Sequence, residues 1–189
     1  PTDKLKIGVD LARFRGDDIG VYVEVYYAFP QWQLTYVQGA AGMKGAIDLT
    51  TLAVRNDSII AADRMRVEHT LSDSIGRSSL IHMSKLMLPE GKYTLKVIAR
   101  DVHNASRVDS VTRDLPIKLP NEQRMVLSDV EIASKVHKGK QGSPFYKNTL
   151  DVVPNPEGTF GETQSCYVYA EAYNLLLGED KSDYTLRTA

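Results

Sequence analysis

Apolar and polar residues alternate with period two along most of this chain, in short runs broken by Gly, Pro, Asn and Asp. That pattern predicts half-buried β-strands and not amphipathic helices. Over 4–14, Leu5, Ile7, Val9 and Leu11 oppose Lys4, Lys6 and Asp10. The run Val21-Tyr22-Val23-Glu24-Val25-Tyr26 predicts a strand over 19–29. Its valines share one face, and Tyr22, Glu24 and Tyr26 share the other. A short strand is expected over 34–37. The arms 43–55 and 59–68 form a hairpin turning at Asn56-Asp57-Ser58, with Arg64, Arg66 and Glu68 facing solvent. Thr70 to Arg77 reads as a polar loop. The segment 78–88 fits a strand with Leu80, Leu86 and Leu88 opposite Ile81, Met83 and Met87. A helix is the competing reading there, and the turn signals at both ends favour the strand.

Pro89-Glu90-Gly91-Lys92-Tyr93 then feeds a strand in which Tyr93, Leu95, Val97 and Ala99 alternate with polar residues. This resembles the tyrosine corner of immunoglobulin-like sandwiches, without the disulfide. A closing strand covers 107–119. About eight short strands and no clear helix predict an all-β fold, with an immunoglobulin-like antiparallel β-sandwich over 1–119. Pro120-Asn121-Glu122 marks a boundary, and a second, partial β-sandwich is expected over 120–189. There, 127–136 is a strand with Val130 and Ile132 opposite Asp129, Glu131 and Ala133. An irregular stretch follows over 137–162. The first motif returns as Val168-Tyr169-Ala170-Glu171-Ala172-Tyr173 within a strand over 166–177, a turn covers 178–183, and a further strand begins at 184–188.

Each copy is expected to be the central strand of its own domain, with Val168, Ala170 and Ala172 forming a core face. Glu24 and Glu171 then either face a ligand or lie on an outer or rim face shielded by tyrosine rings, and the second is the expectation. Three or four strands cannot cover both faces of a core. The second unit is therefore expected to be truncated, and to be completed by chain beyond Ala189 or by a partner.

Composition narrows the function classes. The 189 residues carry a formal net charge of −1, which gives no electrostatic footprint for nucleic acid or an anionic membrane. No apolar run is long enough to span a bilayer, so no direct membrane insertion is expected. The start at Pro1 suggests a trimmed or mature chain and leaves the compartment open. The single cysteine, Cys166, excludes an internal disulfide and is expected to pack as a small hydrophobe in its strand. His69, His82, His103 and His137 lack metal-ligand spacing. Asp17-Asp18, Asn56-Asp57 and Asp180-Lys181-Ser182-Asp183 offer oxygens but not calcium-loop spacing. Gly139-Lys140-Gln141-Gly142-Ser143 lacks the end of a phosphate loop, and no nucleophile elbow is present. Arg15-Gly16-Asp17 spells an adhesion tripeptide, but it is also ordinary turn chemistry. Asn56-Asp57-Ser58 and Asn104-Ala105-Ser106 meet the N-glycosylation rule, which matters only in a eukaryotic secretory pathway. No catalytic residue, metal site or cofactor is expected.

The least generic segment is Ser143-Pro144-Phe145-Tyr146-Lys147-Asn148, followed by Val152-Val153-Pro154-Asn155-Pro156. Its aromatics either plug the space between two sandwiches or present a binding surface. Trp32, Phe145, Tyr146, Lys147 and Asn148 are the candidate interaction residues. Together with Val9-Asp10-Leu11-Ala12-Arg13-Phe14-Arg15-Gly16-Asp17-Asp18, the strand over 21–29 and Leu127-Ser128-Asp129-Val130-Glu131-Ile132-Ala133-Ser134, these segments resemble the region preceding the GWxTD domain in bacterial GWxTD-domain proteins. The Gly-Trp-x-Thr-Asp motif itself is absent, and Trp32 is the only tryptophan. The resemblance implies a secreted or envelope protein of the bacterial periplasm or cell envelope, lipid-anchored at full length. The expected function is a non-enzymatic structural or interaction module whose partner is another protein or its own downstream domain, with edge-strand self-association. The alternatives are a carbohydrate- or polymer-binding sandwich, or an accessory domain of an enzyme whose catalytic part lies beyond Ala189.

Overall fold

The computed structural model describes residues 5–40, 42–71, 78–120 and 124–175. Eight strands make the N-terminal part: β1 (Gly8–Arg15), β2 (Val21–Pro30), β3 (Tyr36–Gly39), β4 (Gly42–Arg55), β5 (Ser58–Thr70), β6 (Ser79–Leu88), β7 (Gly91–Asp101) and β8 (Val108–Ile117). All pairings are antiparallel. One sheet has the order β1-β2-β6. In the other, β5 lies along one edge of β4, and β3 and then β7 lie along its opposite edge, with β8 outside β7. First, second and fifth long strands against third, fourth, sixth and seventh is the arrangement of an immunoglobulin-like sandwich whose fourth strand pairs with the third.

Alternation builds the core between these sheets. Val21, Val23, Val25, Tyr27 and Phe29 of β2 meet Ile47, Leu49 and Ala53 of β4 and Tyr93, Leu95, Val97 and Ala99 of β7. Leu5, Ile7, Leu86, Leu88, Leu115 and Ile117 close its ends. At roughly 25 cal/mol per Å² of apolar surface removed from water, this cluster supplies the main driving force. The Tyr27 hydroxyl pairs with that of Thr51 across the core, so neither polar group is buried without a partner. Burial pushes the Tyr27 phenol up to about 12. The β4–β5 turn has φ of 50° at Asn56 and 59° at Asp57, the two left-handed positions of a type I′ hairpin. Tyr93 Oη donates to the Pro89 carbonyl at 2.9 Å, which is the tyrosine corner.

The C-terminal part contains β9 (Val126–Leu127), β10 (Glu131–Lys138), β11 (Tyr146–Lys147), β12 (Leu150–Pro154), β13 (Tyr167–Tyr169) and β14 (Ala172–Tyr173). Four of these form a sheet in the order β11-β12-β10-β13, and β14 pairs with β9. Several expectations change here. The strand expected over 127–136 is interrupted after Leu127 and resumes at Glu131. Its buried side carries Glu131 and Ala133, and Val130 is exposed. The stretch 137–162 is not irregular throughout, because β11 and β12 form a hairpin over Asn148 and Thr149, both at positive φ.

The second motif copy is not a central strand. It splits into β13 and β14, and β13 has β10 on one edge with no strand on the other among the described residues. Val168, Ala170 and Ala172 are exposed because no layer of the described residues covers them, and Val168 is 67% exposed. Cys166 is likewise exposed, just before β13. Most of the loop expected over 70–77, the boundary residues Asn121 and Glu122, and the elements expected over 178–188 lie outside the described residues.

Tyr93→Phe removes one hydrogen bond to an exposed turn carbonyl and leaves the ring packing intact. The expected loss is about 1 kcal/mol of unfolding free energy, read from urea unfolding with an unchanged m-value.

Candidate functional site

The outer face of the β1-β2-β6 sheet is not solvent-facing along its whole length. On β1, Ala12 and Phe14 alternate with the residues of the inner core. On β2, Tyr22, Glu24 and Tyr26 do the same, and Met83 of β6 lies beside them. The C-terminal strands cover this patch. Phe145 and Tyr169 pack against the cluster of Ala12, Phe14, Tyr26 and Met83.

Lys147 enters the centre of the patch from β11. Its ammonium contacts carboxylate oxygens of both Glu24 and Glu131, and it donates to Tyr26 Oη at 3.1 Å. Tyr26 Oη in turn donates to Glu24 Oε2 at 2.8 Å. The three ammonium protons therefore have three acceptors. The rings of Phe14, Tyr26 and Tyr169 surround the same nitrogen, with centroids at 4.5, 5.3 and 5.4 Å. Glu24 and Glu131 are each only 2% exposed. The outer-face position expected for Glu24 is correct by alternation, but the rim exposure is not, because another layer lies over it.

Two carboxylates share one ammonium, so the buried cluster carries one negative charge in excess when both are ionised. Burial, followed by the charge of Glu24, pushes the Glu131 carboxyl above its usual range, and Lys147 opposes that rise. Burial also pushes the Tyr26 phenol far up, reinforced by the charges of Glu24 and Glu131. Glu131 Oε1 has no hydrogen-bond partner among the described residues.

Further contacts flank the cluster. Asp129 grips Arg13 through Nε at 2.6 Å and Nη2 at 3.2 Å, and accepts from the Arg13 backbone N–H at 3.0 Å. Arg15 donates from its backbone to Tyr173 Oη at 3.0 Å and from Nη1 to Asn174 Oδ1 at 2.8 Å. Three consecutive residues of β1 thus each hold a different C-terminal element. Beside Lys147, Asn148 Nδ2 donates to Glu171 Oε1 at 2.9 Å and to Tyr169 Oη at 2.8 Å. Glu171 accepts from Tyr169 and Tyr173, each at 2.5 Å.

Of the sequence candidates, Phe145, Lys147 and Asn148 are brought together at this junction. Tyr146 points away from Lys147 by strand alternation and covers Gly139, where a Cβ would come within 2.6 Å of its ring. Trp32 stands apart on a single 3-10 turn, Gln31–Gln33, and is 53% exposed. It lies beyond the end of β2, which closes at Pro30, four residues past Tyr26. Glu24, with the ligand-facing alternative, and the Tyr22/Tyr26 face, as a possible aromatic binding surface, are sequence expectations, whereas Phe14 and Glu131 are not singled out. The V-Y-x-E-x-Y run was the available signal for Glu24 and Tyr26, and Glu131 offered none beyond its place in an alternating segment. Among the described residues, no group of three or more His, Cys, Asp or Glu could hold a metal ion. Among the same described residues, no helix is long and apolar enough to cross a membrane.

A scan against family models and searches of curated proteins and solved structures return no match to this chain.

Lys147→Met leaves two buried carboxylates without a counter-charge. The expected cost is about 3–5 kcal/mol, with early proteolysis of the C-terminal strands while the N-terminal sandwich persists. A second expectation concerns alkaline pH. Burial, then the hydrogen bond to and charge of Glu171, hold the Tyr169 and Tyr173 phenols above their ordinary value of 10.0. Their contribution to stability is complete below 10.0 and is lost as pH rises through their folded values. In a phenolate absorbance titration, Glu171→Gln shifts part of the late-ionising population to lower pH.

Proposed function

We propose that this chain is a non-enzymatic structural and interaction module of a bacterial cell-envelope protein, of the kind that precedes a GWxTD domain. One observation carries the reading. The segments on which that resemblance rests converge at the junction: Arg13 and Phe14 from the first, Glu24 and Tyr26 from the second, Asp129 and Glu131 from the third, and Phe145 and Lys147 from the fourth. Such a junction serves a spacer, because it fixes how the C-terminal strands sit on the N-terminal sandwich.

The interaction surface is the free side of β13 and its neighbours. Tyr167 and Val168 of β13 are exposed, as are Leu127 and Val130 nearer β9 and β10, and among the described residues β13 has no strand on one edge. The partner is a strand of another protein, of the downstream domain, or of a second copy. A carbohydrate-binding reading needs a platform of exposed, coplanar rings. Tyr26 and Tyr169 are instead engaged around Lys147, Phe145 packs against Phe14 and its neighbours, and Trp32 stands alone.

Light scattering across a concentration series tests this reading. The wild-type chain is expected to associate as concentration rises. Val168→Lys, which places a charge on the exposed side of β13, is expected to weaken association at least tenfold, corresponding to roughly 1.4 kcal/mol. A wild-type chain that stays strictly monomeric at high concentration, alone and mixed with its downstream domain, overturns the edge-pairing reading.

A further inference from the structure

We propose that Lys147 and Glu131 condense to an intramolecular amide, with Glu24 as the proton carrier. The proposal rests on the composition of the cage. An amine and two carboxyl groups are in direct contact in a site closed by Phe14, Tyr26 and Tyr169. Contact removes the entropic barrier to a reaction between the two groups. Transfer of one proton from the Lys147 ammonium to the Glu131 carboxylate gives the amine and acid that condensation needs, and burial, which penalises charge, pushes Glu131 toward its protonated form.

The two carboxyl groups have different surroundings, and these assign their roles. Glu24 Oε2 accepts the Tyr26 hydroxyl and contacts the Lys147 nitrogen, which places it to take a proton from Nζ. Glu131 has an oxygen with no partner, and burial favours its protonated form. A protonated carboxyl is the electrophile an amine requires, since the hydroxyl is then the leaving group.

The step balances without an oxidant or a cofactor. The Lys147 Nζ lone pair attacks Glu131 Cδ, and Glu24 takes a proton from Nζ. Glu24 then returns that proton to the hydroxyl on Cδ, the C–O bond breaks, and one water leaves. A cavity of about 270 Å³, lined by Glu24 and Lys147 together with Tyr22 and Glu171, adjoins the proton carrier and the amine-bearing residue and receives it. The product exchanges two buried charges for one neutral amide. It links β11 to β10 across the intervening β12, so the three strands cannot separate.

The test is the intact mass of the denatured wild-type chain, with peptide mapping. The expected mass is lighter than that of the sequence by one water, and the peptides containing Glu131 and Lys147 are expected to be found joined. Glu24→Gln keeps the shape of the proton carrier but not its function. It is expected to show the full sequence mass with an unchanged circular dichroism spectrum. A wild-type chain at full sequence mass overturns the proposal. So does a missing water that persists in Lys147→Arg, and a link mapped to Glu24 overturns the assignment of the acceptor.

Discussion

A single buried lysine nitrogen, an ammonium as the chain folds, sets the terms for the junction. A lysine nitrogen removed from water must have its charge and its three protons answered locally. Glu24, Glu131 and Tyr26 answer them, and they come from two distant places in the chain: β2 supplies two and β10 the third. Once this requirement is met, the rest of the junction follows. The rings of Phe14, Tyr26 and Tyr169 exclude water from the charges, and Arg13 and Arg15 fasten the rim on either side of Phe14.

This makes β2 a strand between two different kinds of interior. Its valine face meets an apolar core, and its Tyr-Glu-Tyr face meets a charged and aromatic layer. The two interiors do different work. Burial of the apolar face supplies most of the driving force. The charged face adds little net free energy, because desolvation offsets its attraction. What it supplies is register. A slip of β2 by one residue would carry Glu24 into the apolar core and a valine into the charged layer, and both changes are strongly unfavourable. The pairing of Glu24 with Lys85 and of Tyr26 with Met83 on β6 is held from outside the sandwich as well as from within.

The sandwich was legible because its signals are local. Alternation marked the strands, Asn56-Asp57 marked a hairpin, and Pro89 to Tyr93 marked the corner. The junction was less legible, for a physical reason. Alternation states which side chains share a face, and only long-range packing decides which face is covered. Glu131 and Ala133 are covered and Val130 is not, against the ordinary preference, because Lys147 draws Glu131 inward. The β11–β12 hairpin was invisible because β11 has only two residues and Thr149, at φ 75°, is not a residue that signals a left-handed turn. Cys166 and Val168 look like core residues by type, and they are exposed because no layer of the described residues lies over β13 and the residue before it.

The repeated motif has a meaning different from a repeated domain. In both copies a tyrosine hydroxyl donates to the glutamate two positions away: Tyr26 to Glu24, and Tyr169 and Tyr173 to Glu171. In both, a side chain from the β11–β12 hairpin completes the glutamate's set. Lys147 serves Glu24, and the next residue, Asn148, serves Glu171. Neighbouring side chains on a strand and its turn point in different directions, so one short hairpin can address a glutamate on each side. The two copies are thus two walls of one junction. The charged residue goes to the deeply buried Glu24 and the neutral amide to the more exposed Glu171, as the cost of leaving a carboxylate unpaired in each place requires.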